Sequence, residues 1–189
     1  MLSKHSETPI VLSLDAAFVS HPVNTHIFAP FLVARLEEHP DTQERTLPYE
    51  IVLHNVGVHG LQSVPLILSW TEAMIPPLPL AAQREYVTEA AACGMAFAVL
   101  SYFTSAVLVD VAERGDRFDY IVMENSVRYG IEISGSQTAE RSLLRDRHTQ
   151  KIRQLLDNPQ RWGGYVAVVG FTRREVILSY HEAREAQSL

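Results

Sequence analysis

The sequence predicts an α/β domain in which a mixed β-sheet is flanked by helices, ordered α-β-β-β-α-β-β over residues 80–189, with an N-terminal elaboration over residues 1–79. Three observations lead there. A long, nearly uncharged helical run precedes three short segments of apolar–polar alternation, a charged helical segment follows them, and two apolar β-like runs come last. The 189 residues suit one domain able to bury a full core, and 47% hydrophobic with 20% charged residues is ordinary for a globular protein.

Taken in order, Pro9-Ile-Val-Leu-Ser-Leu14 and Tyr49-Glu-Ile-Val-Leu-His-Asn55 read as strands. Ile27–Glu38 reads as a short helix after Thr25, and Leu61–Ile75 as another. Pro76-Pro-Leu-Pro79 breaks regular structure and marks a boundary within the fold. From Leu80 to Phe103 the composition is helical and apolar on most sides, as in a helix central to its domain. The uncharged run Ala90–Val109 is long enough to raise a membrane span. Its flanking Glu89 and Asp110, its small and hydroxyl residues and its change to strand-like composition near Thr104 argue against one.

Strands follow at Ala106–Val111, Arg117–Met123 and Arg128–Ser134. A helix opens at Gln137 or Thr138 and runs to Leu156, ended by Asn158-Pro159. Tyr165–Phe171 and Glu175–Tyr180, joined through Thr172-Arg-Arg174, are the last strands.

The three alternating segments carry Asp110, Asp119 and Glu132. With four-residue loops at Glu113–Asp116 and Glu124–Val127, Asp110 falls opposite Asp119 and Asp119 opposite Glu132, so the acids line one face. The other face then carries Val107, Val109, Val111, Phe118, Tyr120, Val122, Tyr129, Ile131 and Ile133. Anions about 5–8 Å apart raise one another's pKa unless a cation stands among them. Mg²⁺ or Mn²⁺ suits such oxygen donors, with Asp119 and Glu132 as the leading ligands and Asp110 as a third. The alternative is solvated acids on an exposed sheet.

This pattern resembles the core of the PD-(D/E)XK nuclease superfamily, the restriction-endonuclease-like fold. Phe118-Asp119 followed by Glu132-Ile133-Ser134 matches its Asp and its acid-x-Lys triplet, within the same element order over roughly residues 80–181. The resemblance implies metal-activated hydrolysis of phosphodiester bonds, with DNA favoured over RNA. It also implies a supporting metal ligand from the preceding helix, where Glu89 or Glu85 lies. Ser134 stands where the family has lysine, and Lys151 in the following helix is the substitute, since Leu144, His148 and Leu155 put it near the sheet-facing side. Asp119, Glu132 and Lys151 are thus the candidate catalytic residues.

Arg141, Arg145, Arg147 and Lys151 form a basic helix able to meet a phosphate backbone, although the net charge of −6 argues against broad polyanion binding. Cys93 lies among alanines and reads as an inert thiol. His21/His26 and His54/His59 are spaced poorly for zinc, and the glycines form no phosphate loop. The N-terminus lacks the apolar region of a signal peptide, so a cytoplasmic location without membrane association is expected. The competing reading is a catalytically inactive nuclease-like domain, an interaction or assembly subunit that forms a homo-oligomer or binds a partner protein. Ser134 and the apolar segment Val64-Pro-Leu-Ile-Leu-Ser-Trp70 favour it.

Overall fold

A computed structural model describes residues 8–57, 59–74 and 83–183. Its elements are β1 (Ile10–Ser13), α1 (Leu14–Val19), α2 (Ala29–Glu37), β2 (Thr46–Val56), β3 (His59–Ser69), α3 (Arg84–Phe103), β4 (Val107–Val111), β5 (Tyr120–Glu124), β6 (Val127–Ser136), α4 (Arg141–Leu156), β7 (Gly164–Gly170) and β8 (Glu175–His181). These strands form one mixed sheet in the order β1-β3-β2-β8-β7-β6-β5-β4. From α3 onward the element order is the expected one. The crossover through α4 makes β6 and β7 parallel, while β4–β5–β6 and β7–β8 are antiparallel.

The N-terminal strands extend this same sheet: β2 and β3 form a hairpin, β2 lies parallel to β8, and β1 lies parallel to β3. The helix expected over Leu61–Ile75 is instead β3 followed by a short 3₁₀ turn at Glu72–Met74. Val64, Leu66 and Leu68 are buried in strict alternation, and Pro65 is incompatible with a helix interior. The segment Ile27–Glu38 divides into a 3₁₀ turn at Thr25–Phe28 and α2. The break expected at Pro76–Pro79 lies outside the described residues.

Helices cover both faces. The larger core joins one face to α1, α2 and α3 through Leu14, Phe18, Leu32, Leu36, Met95 and Phe97, and the smaller places Phe118, Leu144, Leu155, Val166, Val168 and Ile177 beneath α4. Each such side chain contributes roughly 1.5–3 kcal/mol on burial. Helix α3 has the length and hydropathy of a membrane span, yet 67% of that window is buried inside the fold, as befits a central helix. Its composition of Ala, Met, Leu and Glu favours helix, and it ends where Thr104 turns extended and its hydroxyl donates to Leu100 O. Helix α4 stops where Asn158 donates to the carbonyls of Leu155 and Trp162 ahead of a Pro-containing loop.

The β5–β6 register puts Tyr120 against Ile131 and Glu124 against Val127. Asn125 and Ser126, at φ 50° and 68°, form a two-residue left-handed turn, shorter than expected but with the same pairing. The β4–β5 register is different. A bulge between Leu108 and Asp110 sets Asp110 opposite Ile121 rather than Asp119. Leu108 enters the α3-side core, Val109 turns toward α4, and Phe118 also packs on the α4 side, stacked on Trp162. The single apolar face expected for all three strands therefore holds for Tyr120, Val122, Tyr129, Ile131 and Ile133 only. With helices on both faces, alternation no longer distinguishes core from solvent.

Three histidines from different elements meet beside α4. His148 is buried, its ring centroid lies 5.7 Å from that of His54 and 6.4 Å from that of His181, and Ser179 Oγ sits 2.7 Å from His148 Nε2 and 2.8 Å from His181 Nε2. Burial first, then the charges of His54 and His181, hold His148 down at about 4. The unfolded chain therefore takes up a proton between about pH 6.5 and 4 that the folded state refuses, and stability falls as pH drops through that window, by on the order of 3 kcal/mol in all. Urea unfolding of wild type and His148→Gln at pH 7 and pH 4.5 measures this. The variant is expected to lose less on acidification, and equal losses would refute the assignment.

Candidate active site

Strand β6 outruns its neighbour. Since β5 starts at Tyr120 opposite Ile131, residues 132–136 keep β7 on one side and have no strand on the other. Unpaired strand amides need acceptors, and here carboxylates supply them. Asp119 Oδ2 accepts from Ile133 N at 2.7 Å, and Glu89 Oε2 of α3 accepts from Gly135 N at 2.9 Å. One strand edge thus fixes two acids from separate elements. The approach of α3 requires glycine at 135, where a Cβ would lie 2.6 Å from Thr88 O.

Glu132 projects to the opposite face, beneath α4, and is fully buried. Lys151 Nζ donates to its Oε2 at 2.5 Å and Gln154 Nε2 to its Oε1 at 2.7 Å. Burial, then the charge of neighbouring Asp119, raises Glu132 to about 7, against the opposing pull of Lys151. Arg147 Nη1 donates to Ser134 Oγ at 3.0 Å and to Gly135 O at 2.8 Å, and stands 3.9 Å from Glu89. Arg147, Lys151 and Gln154 are spaced i, i+4 and i+7, a single stripe of α4 laid over β6.

These groups border a cavity of about 420 Å³ whose walls include Glu89, Cys93, Asp119, Tyr120, Ser134 and Lys151. Burial pushes the Cys93 thiol up to about 12, so it is a protonated wall residue at neutral pH. Among the described residues no three His, Cys, Asp or Glu side chains converge as a complete metal ligand set. Asp119 and Glu132 are nevertheless adjacent hard-oxygen donors, and each carboxylate offers about four acceptor positions, so capacity remains beyond the bonds they make. Mg²⁺ and Mn²⁺ commonly take one or two carboxylates and complete their shells with water and substrate oxygens.

Of the residues expected to gather, Glu89, Asp119, Glu132, Lys151 and Arg147 do so. Asp110 does not. It is exposed at the β4 bulge, where its Oδ1 accepts from Val111 N at 2.9 Å. Arg141 is held by Glu175 and Glu50 at the far end of α4, and exposed Arg145 lies near His54. The basic residues of α4 therefore fan apart, and only Arg147 and Lys151 reach the cavity side. Gln154 was not anticipated, although its i+3 spacing from Lys151 was available as a signal.

Lys151→Met leaves Glu132 buried without its cation, with an expected loss of about 3 kcal/mol at pH 8. The loss shrinks at pH 5.5, where Glu132 takes up a proton and needs no partner. Urea titration at the two pH values measures the difference, and a pH-independent loss would contradict the pairing.

No family model matches the chain, and neither does any curated protein or solved structure.

Proposed function

We propose that the chain is a divalent-metal-dependent phosphodiesterase of the restriction-endonuclease-like kind, acting on nucleic acid, with DNA preferred. The observation that carries this reading is the meeting of Asp119, Glu132 and Lys151 beside a cavity that Glu89 also lines, on the α-β-β-β-α-β-β order. Asp119 and Glu132 would hold Mg²⁺ or Mn²⁺. The bound ion supplies a Lewis acid for the phosphoryl oxygen and a water of lowered pKa.

The protein's own groups do the positioning. Ile133 N–H fixes the Asp119 carboxylate at the cavity wall. Glu132 holds the Lys151 ammonium beside the cavity that Ser134 also lines, where it would offset charge developing on a phosphate. Arg147, bonded to Ser134 and Gly135, adds a second fixed donor group.

Calorimetric titration of Mn²⁺ into wild type and the Asp119→Ala/Glu132→Ala double variant tests the metal site. Binding by wild type, lost in a folded variant, is expected. Absence of binding by wild type, both alone and with a duplex oligonucleotide present, would sink the reading. One observation favours a second reading, that of an inactive, partner-binding descendant. Lys151 and Gln154 already engage both oxygens of Glu132.

A further inference from the structure

A second cavity, of about 450 Å³, adjoins the first. Its lining includes Arg84, Glu85, Glu89, Gly135, Gln137 and Arg147. Glu89 belongs to both cavities, and Arg147 stands at their junction, bonded to Ser134 of the first and to Gly135 of the second. The two cavities are therefore neighbours that share the Glu89 wall.

Its two arginines differ in state. Arg147 is fixed by β6 and by Glu89. Arg84 is exposed, and among the described residues its guanidinium has no ion pair and no hydrogen bond; only its backbone carbonyl is used, by Arg35 and Thr88. Two arginines on the lining of one cavity, one of them free to move, suit the tetrahedral oxygens of a phosphodiester, which arginine binds through paired N–H donors. Glu85 and Glu89 are the anions that oppose such a ligand, Glu89 already standing 3.9 Å from Arg147.

We propose that this groove seats a phosphate of the same strand next to the one at the carboxylates, held between Arg84 and Arg147. The assignment rests on the nuclease reading, and it makes Arg84, outside the basic helix, a substrate-binding residue. Glu85 limits the affinity of the groove, because it places a negative charge beside the backbone.

The test is fluorescence anisotropy of a labelled short DNA duplex, with Ca²⁺ replacing the reactive ion, on wild type, Arg84→Ala, Arg84→Lys and Glu85→Gln, beside Mn²⁺ calorimetry of each. Arg84→Ala is expected to bind about 5–10-fold more weakly at low salt and to lower the salt slope by about 1, with Mn²⁺ binding unchanged. Arg84→Lys should retain part of the affinity, and Glu85→Gln should bind about 2-fold more tightly. Duplex binding by Arg84→Ala equal to that of wild type would overturn the groove and leave the nuclease reading standing. Displacement of the duplex by inorganic phosphate at an equal concentration of phosphate groups would assign the groove to a free anion and overturn it as well. Failure of wild type to bind or cut the duplex would overturn both.

Discussion

Asp119→Ala is expected to slow Mg²⁺- or Mn²⁺-dependent strand cleavage by about 10³-fold or more, the scale on which loss of a metal ligand or oriented charge acts at a transition state. Asp119 lines the cavity and its Oδ2 accepts from Ile133 N, so removing the carboxylate costs that amide its acceptor, about 1–3 kcal/mol, while the β6–β7 pairing stays in place. Glu132→Gln should be similarly slow. It keeps the shape of a fully buried side chain while discarding the charge that Lys151 faces. Both variants should retain wild-type circular dichroism, and nicking of supercoiled plasmid measures the rates. Cleavage above about a tenth of wild type in Asp119→Ala would remove that residue from the chemistry.

The largest stability loss is expected at Gly164→Ala. Gly164 starts the parallel β6–β7 pairing opposite Gly130, and a Cβ there would run into Gly130 O and lie 2.8 Å from the Gly130 carbonyl carbon. Those atoms are backbone and cannot rotate aside, so either the strands separate or the pairing fails. A loss of more than about 4 kcal/mol follows, enough to leave little folded protein. Gly170→Ala is the comparison. Its Cβ would meet Leu144 Cδ1 at 2.5 Å, the end of a side chain that can change rotamer, and about 1–2 kcal/mol is expected. Urea unfolding ranks the two, and a Gly164→Ala protein as stable as Gly170→Ala would contradict this packing.

Much of the fold could be read where one signal dominated. The apolar run around Met95 and Phe97 is the central helix, and the two-residue turn at Asn125-Ser126 has the same centre as the four-residue loop expected, which keeps Asp119 beside Glu132. Asp110 was misplaced because a bulge leaves no mark on alternation, and Val107–Val111 is apolar enough to fit either face. The helix expected over Leu61–Ile75 is strand β3 instead, and Pro65, which a helix interior does not accommodate, is the residue that distinguishes the two. The site was legible as a set of acids with Lys151 nearby. That Ile133 and Gly135 amides orient the carboxylates depends on β6 outrunning β5, a tertiary fact with no local signature.

Cleavage itself is the most direct test of the central claim. Purified wild-type protein incubated with supercoiled and linear DNA, with Mn²⁺, with Mg²⁺ and with EDTA, is expected to break strands only when a divalent ion is present, and Asp119→Ala in the same tubes is expected to leave them intact. Intact DNA under every condition, or cleavage that persists equally in Asp119→Ala or in EDTA, would contradict it.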